Sequence, residues 1–268
     1  MNDTRPVALV TGASTGIGAS IARTLVDAGY AVYGTSRRER LDADGVRMRV
    51  MEVRSDESVE DCVAGILAET GRIDLVVNNA AQTIVSPAEE LPIPEAAALM
   101  DLNFFGVARV VNAVLPTMRH QRAGHLIFIS SLGGLMGIPG QGYYCATKHA
   151  MEGYVDGLYL ELAQFGIRVT SVEPGSFRTE ILETSPLPDW PTMDHYDGYR
   201  ESLREIITEA TAKGGDPQQV ANVVASVATK TKPKVRYRVD GDGKRAVMFK
   251  TLLPQRTFYR IMGQRFGA

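Results

Sequence analysis

VALVTGASTGIG, residues 7–18, runs a short β-branched stretch into three glycines, Gly12, Gly16 and Gly18, and then into apolar residues at helical spacing. A strand–turn–helix junction of this kind leaves free backbone N–H groups and the positive end of a helix at one point, where a phosphate is stabilised. The glycines let the chain turn tightly and approach a pyrophosphate. Gly12, Ser14, Thr15, Gly16, Ile17 and Gly18 are therefore read as a phosphate cradle of GxxxGxG spacing. A glycine triplet alone fits an ordinary turn equally well. The strand before it and the helix after it carry the reading.

Outward from this junction, β-branched runs at 31–36, 46–53, 75–78, 125–130 and 169–172 alternate with helix-like segments at 17–28, 57–68, 95–119 and 144–165. Such alternation predicts right-handed βαβ units, and hence a doubly wound α/β fold: a Rossmann-like parallel sheet with helices on both faces. No repeat or Gly/Ser linker divides the chain, so residues 1–268 read as a single domain. Residues 182–200 hold three prolines. With a helix predicted at 201–213, they suggest a substrate lid over 182–215. Ile181, Leu182, Leu187, Trp190, Met193 and Tyr196 are its apolar cover, by substrate contact or by loop packing. Asp216 and Pro217 start another helix, carried to about residue 230. A last strand at 235–239 precedes a DGDG turn.

The net charge of −2 and 44% hydrophobic content call for neither nucleic acid nor an anionic membrane, so a small-molecule partner is expected. Two cysteines without ligand spacing argue against disulfides and against a metal site, and fit a reducing cytoplasm. No run is read as a signal peptide or as an integral membrane segment. From residue 230 on, eleven Lys or Arg face two Asp, which reads as a solvated tail or a subunit contact.

The second strand ends in Ser36, Arg37 and Arg38, where a carboxylate would hold the ribose hydroxyls of NAD. A guanidinium there accommodates a 2′-phosphate instead, so Arg37 points to NADP; a merely solvated loop over 37–40 is the alternative. Tyr144 and Lys148, at i and i+4, share a helix face. A free phenol has a pKa of about 10. A neighbouring ammonium is expected to lower it by about 1–3 units and make Tyr144 a usable acid or base. Ser131, at the end of a strand, offers a hydroxyl to a substrate oxygen.

With TGASTGIG, NNAA (78–81), LNFFG (102–106), SSLGGLMGIPGQGYYCATK (130–148) and PGSFRT (174–179), in this order and spacing, the chain resembles the short-chain dehydrogenase/reductase family. The resemblance covers about residues 5–180. It implies an NADP-dependent oxidoreductase interconverting a carbonyl and a secondary alcohol. Tyr144 is then the proton donor or acceptor, Ser131 binds the substrate oxygen, Lys148 tunes the phenol and holds the nicotinamide ribose, and Asn103 belongs to a water relay. It also places Asn79 and Ala80 beside a cofactor ribose, Glu52 and Val53 by the adenine, and Pro174, Gly175 and Thr179 by the nicotinamide. Two departures stand out: NNAA replaces NNAG, and Glu52 replaces Asp.

Residues 131–153 resemble hydroxysteroid and retinol dehydrogenases, implying a bulky apolar steroid, retinoid or long-chain ketone or alcohol. Apolar residues on several faces of the helices at 95–119 and 151–165 predict a homo-oligomer. The alternatives are a non-catalytic NADP-binding regulator of the same fold and an NAD-linked alcohol dehydrogenase.

Overall fold

Every residue of the strands Val7–Val10 (β1), Leu75–Asn78 (β4) and Gly124–Ile129 (β5) is buried, as a parallel sheet covered on both faces requires. In the computed structural model, which describes residues 4–183, 189–239 and 241–266, these strands join Ala31–Ser36 (β2), Val46–Val50 (β3), Ile167–Pro174 (β6) and Arg236–Val239 (β7). All seven pair in parallel, in the order β3-β2-β1-β4-β5-β6-β7, as one Rossmann-like domain.

Successive side chains of a strand point to opposite faces, and the core divides accordingly. Val10, Val32 and Val77 pack with Ile21 and Leu25 of helix Gly16–Asp27 (α1) and with Val220 and Val224 of helix Pro217–Ala228 (α7). Leu9, Tyr33 and Val76 face the other way, onto helices Asp56–Thr70 (α2), Gly106–Gln121 (α4) and Gly142–Leu162 (α5). The strand order reverses between β1 and β4, and a crevice at their carboxyl ends is where such sheets bind ligands.

Several boundaries depart from the sequence reading. β3 stops at Val50, not at 53, because Ser55 caps α2 and the Ser58 hydroxyl takes the N–H of Glu52 at 3.0 Å. The helix read over 95–119 is Ile93–Met100 (α3) and α4, joined by a π turn, Asp101–Phe105, whose wider ring closes from the Gly106 N–H to the Asp101 carbonyl. This continuous stretch, Ile93–Gln121, has the length and apolar composition of a membrane-crossing helix, a property also of core helices. Val110, Val111, Val114 and Met118 bury it against the sheet.

The DGDG segment is not a turn: its first residue lies outside the described residues, and Gly241–Leu252 (α8) begins at the second. The basic tail forms α8 and Gln255–Arg265 (α9), seated by Val247, Phe258 and Phe266.

Within the lid region, residues 184–188, Leu187 among them, lie outside the described residues. The rest forms a short turn, Asp194–Tyr196, and helix Asp197–Ala212 (α6). Glu90, whose side chain is buried, accepts from Arg200 Nη2 (2.6 Å) and Nε (3.0 Å) and from the Met193 N–H (2.7 Å), pinning this segment to the loop before α3. Trp190 is buried in one apolar cluster with Tyr144, Ile84 and Leu91, whereas Met193 is exposed.

Candidate active site

The cradle is held from below by β4. Thr11 Oγ1 accepts from the N–H groups of Asn79 and Ala80, both at 3.0 Å, and Asn79 Nδ2 donates to the carbonyls of Thr11 and Gly12, both at 3.0 Å. Gly12 and Gly16 have φ of +64° and +54°, in the region that favours glycine. At Gly18 a Cβ would stand 2.1 Å from the Gly12 carbonyl oxygen and 2.4 Å from Asn79 Nδ2. The Nδ2 group of the asparagine amide thus clamps the loop. Thr15 precedes α1 without making a side-chain cap, and the first turn carries no acidic residue. The helix N-terminus therefore keeps donors for an anion.

The PGSFRT segment closes the cradle from the far side. Gly175 N–H donates to Val239 O at 3.3 Å, and Thr179 Cβ lies 3.3 Å from the point a Gly16 Cβ would occupy. Three segments far apart in sequence, 11–18, 79–80 and 174–179, so meet at the carboxyl end of the sheet. A cavity of about 190 Å³ opens beside them, lined by Ala13, Ser14, Arg23, Arg40, Leu41 and Met48 among others. Arg37, the residue picked from the sequence, is exposed at the end of β2 and does not line it. Arg40, three residues on, does. Its signal was the basic run itself, but only the fold of the 37–45 loop tells which of its exposed arginines borders the cavity.

Glu52 and Val53, the residues expected beside the adenine, follow the end of β3. Glu52 accepts from Arg54 Nε and Nη2, both at 3.2 Å. Burial works to raise its pKa, but the Arg54 hydrogen bonds outweigh it and the carboxyl titrates below its ordinary value. Val53 is buried against Gly106, where its Cγ2 stands 2.8 Å from the position of an added Cβ.

Tyr144, Lys148 and Ser131 come together. Ser131, at the end of β5, opens a short turn, Leu132–Gly134, and accepts from the Gly133 N–H at 3.1 Å. Its hydroxyl hydrogen-bonds the Tyr144 phenol. A Cβ on Gly133 would lie 3.2 Å from the phenol ring, so glycine lets the turn pack on the tyrosine. Lys148, 2% exposed, donates from Nζ to the Ile129 carbonyl at 2.9 Å, and the same nitrogen is 5.8 Å from the Tyr144 ring centre.

The expected lowering of the phenol pKa is corrected here. Burial pushes Tyr144 up to about 12, against the opposing Ser131 hydrogen bond. Burial likewise brings Lys148 down to about 8, with the Glu152 charge opposing. At neutral pH this tyrosine is a protonated phenol, hence a proton donor first.

Asn103 is fully buried inside the π turn. Its Oδ1 accepts from Gln82 N–H (2.9 Å), and its Nδ2 donates to Gln82 O (2.9 Å) and to Thr147 Oγ1 (3.1 Å). The amide joins the loop after β4 to α5. Among the described residues no group of three or more His, Cys, Asp or Glu is placed to hold a metal.

The short chain dehydrogenase family profile matches residues 6–188. The chain is 38% identical to the 3-ketodihydrosphingosine reductase of Bacteroides thetaiotaomicron over 87% of each protein. It is 33% identical to retinol dehydrogenase 8 of Bos taurus, over 97% of this chain and 89% of that one. A crystal structure of a short-chain dehydrogenase from Streptomyces avermitilis superposes with a TM-score of 0.83 at 33% identity, covering 99% of this chain and 97% of the other.

Proposed function

The chain belongs to the short-chain dehydrogenase/reductase family, and on that footing we propose that it is an NADP-dependent reductase of a bulky, mostly apolar ketone, working on a small-molecule substrate. The observation that carries this reading is the buried Tyr144 ring packed with Ser131 around Gly133, one helical turn from the buried Lys148. The bound nicotinamide supplies the hydride. The cradle fits a pyrophosphate, because Gly12 and Gly18 let the loop fold tightly on Asn79 and Ala80 while the N-terminus of α1 carries no side-chain cap. Gly12, Ser14, Thr15, Gly16, Ile17 and Gly18 would hold the phosphates, and Thr179, Gly175 and Pro174 border the nicotinamide end.

Ser131 and Tyr144 orient the carbonyl oxygen, and Tyr144 passes it the phenolic proton as negative charge develops there. Lys148, held by Ile129, stabilises the phenolate left behind and would hold the nicotinamide ribose. Asn103 positions α5 through Thr147 rather than meeting substrate. Arg37 and Arg40, with no carboxylate ending β2, favour a 2′-phosphate and hence NADP over NAD.

The relatives' names support the substrate class, one acting on a ketodihydrosphingosine and the other on retinol. Trp190 and the apolar cluster around Tyr144 agree with an apolar ligand body. We place the enzyme in the cytoplasm as a homo-oligomer. Its partner face comprises the exposed apolar residues Ile93, Phe105, Tyr159 and Leu160 on the helices around α4 and α5.

The test is oxidation of NADPH and of NADH with a long-chain ketone, a ketosteroid, retinal, a sugar and an acetoacetyl thioester. Highest kcat/KM for an apolar carbonyl with NADPH is expected. A preference for the sugar or thioester overturns the substrate class, and NADPH binding without turnover of any carbonyl points to a regulator.

A further inference from the structure

Tyr144 and Lys148 begin a row on one face of α5 that continues at four-residue intervals into Glu152 and Asp156. Glu152 is buried and lies directly under the turn that carries the site: a Cβ on Gly134 would be 3.1 Å from Glu152 Cγ and 3.1 Å from the Lys148 carbonyl oxygen. Its two oxygens are fixed from the neighbouring strands. Oε1 accepts from Ser171 Oγ of β6 at 2.6 Å, and Oε2 accepts from Arg236 Nε of β7 at 2.9 Å.

Arg236 and Arg238 alternate along β7, so both point to the α5 side of the sheet, where Glu173 of β6 is completely buried. Arg238 Nε donates to Glu173 Oε2 at 2.9 Å, and Arg236 Nε stands 3.5 Å from the other oxygen. Arg236 also donates to Asp156, at 2.7 Å. The edge strand, whose basic character finds no use in the hydride chemistry, thus inserts two cations behind the site.

A buried ammonium needs a counter-charge, and the Ile129 carbonyl that Lys148 meets carries none. Glu152 is the buried carboxylate one turn away. We propose that Lys148 and Arg236 share the Glu152 carboxylate as counter-ion, making Glu152 a positioning residue through which edge strand β7 sets the charge of the lysine at the site. The consequence for turnover rests on the reductase reading above; the sharing itself does not.

The directions agree: the Glu152 charge supports the protonated lysine against burial, and Glu173, raised by its own burial, is raised further by Glu152. The groups facing this pair are Tyr144, Cys145 and Asp156 on α5, Glu173 on β6, and Arg236 and Arg238 on β7. Lys250 of α8 reaches the nearby Leu135 carbonyl.

The test is an NMR titration of the full-length protein with labelled lysine side chains, the Lys148 signal being assigned through Lys148→Arg. In Glu152→Gln the Lys148 midpoint should fall by about one pH unit or more, and Glu152→Asp should restore most of it. Arg236→Met should move the midpoint the other way, because Glu152 is then left to Lys148 alone. A Lys148 midpoint unchanged in folded Glu152→Gln, with only the melting temperature lowered, overturns the proposal. If Glu152→Gln does not fold, Arg236→Met decides: a rise supports sharing, and no rise overturns it. Should the titrations move as described while no carbonyl is reduced, the reductase reading fails and the shared counter-ion stands.

Discussion

Asn103 and Thr147, forty-four positions apart, meet at 3.1 Å, the side-chain amide of the first donating to the hydroxyl of the second. Thr147 Oγ1 in turn donates to the Tyr144 carbonyl at 2.8 Å, so the π turn is tied to the helix that carries the phenol. Asn103→Ala leaves the main-chain groups of Gln82 without their partner. It should destabilise the protein by about 1–3 kcal/mol and lower turnover with little change in KM, whereas Thr147→Val should do less. Denaturant unfolding and steady-state kinetics check this. An Asn103→Ala protein of unaltered stability would contradict the clamp.

Tyr144→Phe removes the proton and keeps the ring against Gly133. Carbonyl reduction should fall by about a hundred-fold or more, with NADPH affinity within a few-fold of wild type. Cofactor fluorescence and single-turnover rates separate the two. A variant with most of the original rate rules out the phenol as proton donor.

Arg37→Asp and Arg40→Asp divide the 2′-phosphate contact between two exposed arginines, of which Arg40 borders the cavity. Loss of one charge-assisted contact corresponds to roughly ten- to a hundred-fold in the NADPH-to-NADH ratio of kcat/KM. The larger loss is expected at Arg40. If neither variant alters the ratio, the loop does not read the phosphate.

The Glu90–Arg200 pair anchors the proposed lid, and the chain's single tryptophan, Trp190, is a buried residue of that same segment. Arg200→Met should let the lid detach, shifting Trp190 emission to the red and lowering KM selectivity between apolar and polar ketones. Unshifted emission would mean that the lid packs without this anchor.

His125 is fully buried in β5 with Nε2 3.0 Å from Thr170 Oγ1, and burial lowers its pKa to about 3, with the nearby Arg168 adding to the effect. The ordinary value is 6.5, so between the two the unfolded chain binds one more proton than the native one. Stability from this residue is full above pH 6.5 and is lost as pH falls toward 3, on the order of a few kcal/mol in total. His125→Asn should be weaker than wild type at neutral pH yet show a shallower acid decline. Urea melts across pH 7 to about 4 measure both.

What the sequence determined by itself was everything encoded in local pattern. β-branched runs alternating with 3.6-residue periodicity set the doubly wound sheet, the glycines of residues 11–18 set the cradle, and four-residue spacing put Tyr144 and Lys148 on one face. These depend on neighbours within a turn or a strand, where chain geometry leaves few options. The tertiary structure decided the rest, because burial and long-range pairing have no local signature. It raised the Tyr144 phenol where an adjacent lysine alone would lower it, and turned Asn79 and Asn103 into clamps. It also put Arg40, not Arg37, on the rim of the cavity and brought the β7 arginines behind Lys148. A carboxylate at 152 and an arginine at 236 become one ion pair only when β7 joins β6 at the sheet's edge, a contact that no spacing along the chain records.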